Sequence, residues 1–223
     1  MSGVATAPRG AHGTAAQHAL EGLRRAMVEG ELRPGDRVRQ EEIAERLGLS
    51  LAPVREALAA LEQEGQVSYL PRRGYTVAEL ALEEMREIYE LRALLEERAV
   101  RAALPQLDRD AIDRVELAAG ECAAAVAAGD VAAELAANRR FHFALLAAPG
   151  QAHTLRLIRL LWDSTETYRA LYYNSAEGRE ESLAAHERIL AALRAGDADA
   201  LVAELDAHRR RALAKLAEIL APA

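Results

Sequence analysis

From Glu79 to the C-terminus the chain is one long Ala/Leu/Glu/Arg pattern with only five short breaks, and this limits the fold more than any other feature. The breaks are Leu104-Pro105, Gly129-Asp130, Pro149-Gly150, Asn174–Gly178 and Gly196-Asp197. Strands favour β-branched and aromatic residues, whereas Ala, Leu, Glu and Arg favour helices. Aromatics make up only 4% of this chain. The spacing predicts six helices, over about 82–103, 108–128, 130–147, 151–173, 178–195 and 198–221. Each Gly-Asp pair reads as a C-cap followed by an N-cap. Helices this long with short connections predict an antiparallel bundle that buries its own core.

The N-terminal part is punctuated differently. Residues 1–13 are small, polar and broken by Gly and Pro, and read as a flexible tail. Thr14 and Gln17 form a capping-box pattern for a helix ending near Glu29, with Leu20, Leu23 and Met27 as its stripe. Pro34-Gly35-Asp36 is a turn. A short helix follows over Gln40–Leu47 and stops at Gly48, and Ser50 is a good N-cap for the next helix. That helix carries Val54, Leu58 and Leu61. Two β-like runs, Val67–Leu70 and Tyr75–Val77, flank Pro71-Arg72-Arg73-Gly74. Three helices and a hairpin with a basic tip predict a winged helix-turn-helix over residues 14–78. The expected fold is therefore mostly α: a winged helix-turn-helix, then a helical bundle over residues 79–223.

Charge agrees with two functions in one chain. The net charge is −7, which excludes a protein that coats nucleic acid with uniform positive charge. Residues 1–78 hold ten arginines and ten carboxylates, so the acidic excess lies wholly in the bundle. Cys122 is the only cysteine, so no intrachain disulfide forms, and no apolar run is long enough to span a membrane. A cytoplasmic protein is expected. In a helix-turn-helix the N-terminal residues of the second helix reach base edges in the major groove. Here those residues are Ser50, Ala52 and Arg55, while Arg72, Arg73 and Gly74 suit backbone or minor-groove contact.

Three of the six histidines, His142, His186 and His208, fall near the middle of three different predicted helices. Imidazoles from three helices can converge on a borderline divalent cation. Alternatively, each is an ordinary partly buried histidine bonded to a neighbouring carboxylate, because spacing alone does not show convergence. Asn138 lies four residues before His142, on the same helix face.

The segments Ile43–Ser50, Pro53-Val54-Arg55-Glu56-Ala57-Leu58, Leu61–Gly65 and Pro71–Val77 resemble the winged-helix domain of the GntR family of bacterial transcription regulators. This chain departs from that pattern in having Leu51 where the family usually has Arg, and Ala52 where a polar residue is common. Tyr89–Glu96, Asn138–His142, His186–Leu190 and the stretch from Gly196 to His208 resemble the FCD effector domain of the FadR branch. The six expected helices point to the VanR-type subgroup. The resemblance implies a metal held by Asn138, His142, His186 and His208, with zinc expected and nickel or manganese as other candidates. Asn138 replaces the more common Asp. It also implies that Arg92 clamps a small carboxylate effector. The implied function is a ligand-responsive regulator, a repressor by default. It would bind a pseudo-palindromic double-stranded DNA operator as a homodimer. One alternative makes the bundle only a dimerisation scaffold, and another makes it a metal-dependent hydrolase.

Overall fold

The computed structural model describes residues 9–147 and 150–220, and the chain divides into two compact units between Glu79 and Leu80. The first unit contains α1 (Arg9–Val28), β1 (Arg37–Val38), α2 (Gln40–Leu47), α3 (Leu51–Gln63), β2 (Val67–Leu70) and β3 (Gly74–Val77). The strands form one antiparallel sheet in the order β1-β3-β2, with Val67 opposite Val77 and Arg37 opposite Thr76. The expected helix-turn-helix and wing are both present. Strand β1 has no signature in the sequence, because two residues carry no alternation to read. Arg9–Gly13 belong to α1, so that part of the expected tail is helical, and residues 1–8 lie outside the described residues. Thr14 and Gln17 accordingly sit inside the helix rather than at its start.

Apolar side chains from every element of this unit share one core. Leu23 and Met27 of α1, Val38 of β1, Ile43 of α2 and Val54, Leu58 and Leu61 of α3 meet Val67 and Val77 of the wing. Gly48 closes α2 in the left-handed region at φ 65°, and its N–H and that of Leu49 cap the carbonyls at the end of the helix. This sharp turn sets the direction of α3.

The second unit contains α4 (Leu82–Ala103), a single 3-10 turn (Leu104–Gln106), α5 (Arg109–Ala128), α6 (Val131–Leu146), α7 (Ala152–Ser164), α8 (Glu166–Tyr173), α9 (Ala176–Ala195) and α10 (Ala198–Ile219). Asp108, Asp130 and Asp197 cap α5, α6 and α10 through their carboxylates. Val115, Phe141, Leu145, Ile158, Trp162, Ile189, Leu193 and Leu201 form the centre of the core. The helix expected over 151–173 is two helices with a break at Thr165. The Thr165 hydroxyl donates to the carbonyls of Leu161 and Trp162, competing with the helical ladder. Seven α-helices among the described residues, rather than six, remove the ground for the VanR-type expectation.

Leu58 is fully buried. Leu58→Ala is expected to cost about 2–5 kcal/mol through lost burial and a cavity beneath α3. Urea unfolding followed by circular dichroism checks this, and a loss below about 1 kcal/mol would show that this core does not fix α3.

Candidate functional site

In the first unit, Ser50 stands at the N-cap of α3 with extended backbone, but its side chain makes no capping bond. A capping oxygen takes the N–H of the second or third helical residue, and the third here is Pro53, which has none. Ser50, Ala52 and Arg55 are exposed. The Arg55 Nε–H donates to Gln40 Oε1 at 3.0 Å, which ties the first residue of α2 to the recognition helix. Leu51 is half-buried and packs against the unit's core. At the wing tip, Arg73 N–H bonds the Leu70 carbonyl at 3.0 Å across a turn whose third residue, Arg72, has φ 68°. That is the geometry of a type II turn with Pro71 second. A non-glycine residue there costs of order 1 kcal/mol. Arg72 and Arg73 are exposed, and Gly74 follows at φ 81°.

In the second unit, α6 supplies Asn138 and His142, α9 supplies His186, and α10 supplies His208. All four are buried. The three imidazoles meet with ring centroids 5.3–5.6 Å apart, and one ligand atom from each lies within 4.8 Å of the others. The His186 Nε2 and Asn138 Oδ1 atoms are 3.1 Å apart, while His186 Nδ1 has no partner. Burial lowers the proton affinity of all three rings, reinforced for His142 and His208 by the neighbouring imidazoles and by Arg92 and Arg209, and it brings His186 down to about 4. Neutral imidazole is the form a metal requires. The three imidazoles therefore form a donor set that could hold a borderline divalent cation, and Asn138 Oδ1 stands beside one of them.

Arg92 is buried beside this cluster. Its Nε–H donates to Glu96 Oε1 at 2.9 Å, while Arg209 Nη1 reaches Glu96 Oε2 at 2.6 Å and Trp162 Nε1 reaches Oε1 at 2.8 Å. Burial alone would raise the Glu96 carboxyl, but the two guanidiniums outweigh it and hold the group below the usual carboxylate range. The indole of Trp162 lies 5.0 Å from His142 and 4.2 Å from the Arg92 and Arg169 guanidinium carbons. A cavity of about 20 Å³ opens among these groups, lined by Arg92, Asn138, His142, Arg169, His208 and Arg209 together with aromatic neighbours. That volume holds one water-sized occupant.

Several of these residues escape the sequence reading. Arg209 reads as part of a solvated Arg209-Arg210-Arg211 face, yet it is 6% exposed and paired with Glu96. Only Arg210 of the three is exposed, in an ion pair with Asp206. Glu96 carried a readable signal in its i,i+4 spacing from Arg92. Arg169 carried none. Tyr172 and Tyr173 line the cavity, and Tyr168 accepts the Leu80 N–H at 2.7 Å through its hydroxyl. Cys122 is buried, and burial pushes its thiol up to about 12, so it has no thiolate to react.

A winged helix-turn-helix joined to a helical unit with a buried polar site is the architecture of a DNA-binding regulator. Residues 15–77 match the bacterial regulatory proteins, gntR family, and residues 87–211 match the FCD domain. The chain belongs to the GntR family of transcription regulators and carries an FCD effector domain. It is 31% identical to the HTH-type transcriptional regulator McbR of Escherichia coli over 180 residues, covering 78% of this chain and 80% of that protein. It is 26% identical to the HTH-type transcriptional repressor GlaR of Escherichia coli over 184 residues, covering 78% and 83%. The solved structure of E. coli McbR/YncC superposes with a TM-score of 0.79 at 27% identity, covering 93% of this chain and 99% of that one. These relatives regulate transcription and are not enzymes, so the hydrolase alternative falls. Among the described residues no helix is long and apolar enough to cross a membrane.

Glu96→Gln leaves Arg92 and Arg209 buried without a counter-charge and is expected to cost about 3–5 kcal/mol near pH 7. The folded Glu96 carboxyl titrates below its unfolded value, so its contribution is full above the unfolded pKa and fades as pH falls through the folded one. Urea unfolding of both proteins at pH 7 and pH 3.5 checks this: the gap between them should narrow in acid, and a gap that stays constant would refute the assignment.

Proposed function

We propose that the protein is a ligand-responsive repressor that binds a pseudo-palindromic DNA operator as a homodimer and releases it when a small carboxylate occupies the bundle. The observation that carries this reading is the convergence of three buried imidazoles, beside a cavity that His142, His208, Asn138 and buried arginines line. His142, His186, His208 and Asn138 would hold a divalent cation, with zinc favoured by the imidazole donors and nickel or manganese able to replace it. A bound cation would supply positive charge for an effector carboxylate, and Arg92 would orient that carboxylate from the cavity wall. Asn138 brings no negative charge, so three neutral imidazoles and an amide leave the cation uncompensated and reward an anion. One relative's name as a repressor supports the sign of the response.

Residues 14–78 would bind DNA and residues 79–223 would sense and dimerise. Ser50, Ala52 and Arg55 would face the major groove, with Gln40 engaging only the Arg55 Nε, and Arg72, Arg73 and Gly74 would meet the backbone or the minor groove. Leu51 is occupied by the core, so Arg55 and the wing carry more of the contact. Leu91 and Leu94 of α4, and Leu157 and Leu160 of α7, are exposed on two helices that pack together. Exposed leucines on adjacent helices favour cover by a second copy, and twofold symmetry would match two operator half-sites. A repressor of this kind works in the cytoplasm, on the chromosome.

Native mass spectrometry without chelator tests the site and the assembly together. A dimer with one metal per subunit is expected, with the metal lost in His186→Ala. A dimer that takes up no metal from added zinc, nickel or manganese would instead favour the bundle as a scaffold. Arg55→Ala is expected to weaken operator binding by about 1–3 kcal/mol in anisotropy titrations. Unchanged titrations would remove Arg55 from the interface.

A further inference from the structure

Resting on the carboxylate-effector reading above, we propose that Arg169 forms a second anion subsite, so that the effector is an organic acid with two anionic ends. One end would meet the imidazole cluster and Arg92, and the other Arg169.

Arg169 is 6% exposed on the eight-residue helix α8. Its guanidinium stacks on Trp162, and one amine, Nη2, donates to the Trp162 carbonyl at 3.1 Å. Its Nε and Nη1 are buried with no hydrogen-bond partner. A buried charged donor without a partner is costly. The carboxylate bonded to its neighbours Arg92, Trp162 and Arg209 cannot satisfy it. Both Glu96 oxygens are taken, one by Arg92 and Trp162 and the other by Arg209. Glu166 favours the Arg169 charge from a distance but makes no hydrogen bond with it in the structure. Three guanidiniums, from Arg92, Arg169 and Arg209, thus line the cavity, and no carboxylate is among its lining residues.

The surplus is therefore local and has an address. A carboxylate at the imidazoles has Arg92 for its donor, whereas an acid with a second anionic group would also fill the two unmade bonds of Arg169. The cavity's about 20 Å³ is too small for such a molecule with the side chains as they stand, so lining groups must move aside for it. Arg169 is the lining cation with two unmade bonds to gain from that movement.

Isothermal titration calorimetry on the zinc-supplemented full-length protein tests the subsite, with succinate and adipate compared against butyrate and hexanoate. The better dicarboxylate is expected to bind at least about tenfold more tightly than its monocarboxylate counterpart, the size of one added charge-assisted pair. In Arg169→Gln that advantage should shrink to within about twofold while monocarboxylate binding is retained, and Arg169→Lys should restore part of it. Equal binding of the two acid classes by the unaltered protein would overturn the subsite, and so would a variant that weakens both classes alike, which marks a structural arginine. If no acid binds with or without zinc, the carboxylate-effector reading fails, and the subsite with it.

Discussion

A carboxylate with no access to water lies at the centre of the helical unit, and three helices are committed to it. Glu96 belongs to α4, its partner Arg209 to α10 and its partner Trp162 to α7, while Arg92 approaches from one turn earlier on α4. Burying an ion is tolerable only when every lone pair is used, and removal of any partner leaves a stranded charge. The arrangement therefore fixes side-chain positions more tightly than apolar packing alone. Once the indole is fixed, so are the groups against it: the His142 ring on one helix and the Arg169 guanidinium on another. The imidazole cluster stands on a frame whose keystone is ionic.

The DNA-reading unit is organised by backbone geometry. Gly48 turns the chain in the left-handed region, Ser50 starts α3 without spending its hydroxyl, and Pro53 removes the donor that the hydroxyl would otherwise meet. The first turn of α3 thus keeps a polar group free at the end that points away from the core. Leu51 faces inward instead and belongs to the packing. At the wing, Arg72 holds a conformation that glycine would hold at less cost, and such strain is characteristic of positions where the side chain matters more than the turn.

Much of this was legible in the sequence, for physical reasons. Helix α2 stops at Gly48 and strand β2 at Pro71, and those limits follow from these residues. The break between α7 and α8 has no such marker: the apolar spacing runs through it, and only the hydroxyl of Thr165 interrupts the ladder. The histidines could be picked out as a group on three helices, but their meeting depends on how α6, α9 and α10 pack, which no local pattern encodes. Arg209 was hidden for a related reason. A run of three arginines looks solvated until its partner, 113 residues earlier in the chain, is known.

All three cations around the cavity are arginines, and Lys215 is the only lysine in the chain. Even Arg169, whose proton affinity burial lowers to about 10, keeps its charge near neutral pH. The imidazoles nearby are already neutral there. The lining arginines and imidazoles thus hold their charge states near neutral pH, and the group that burial brings to about 7 is Glu134, which acts on Tyr172 and Tyr173 of the lining. Among the lining cations, only the arrival of a solute changes the balance.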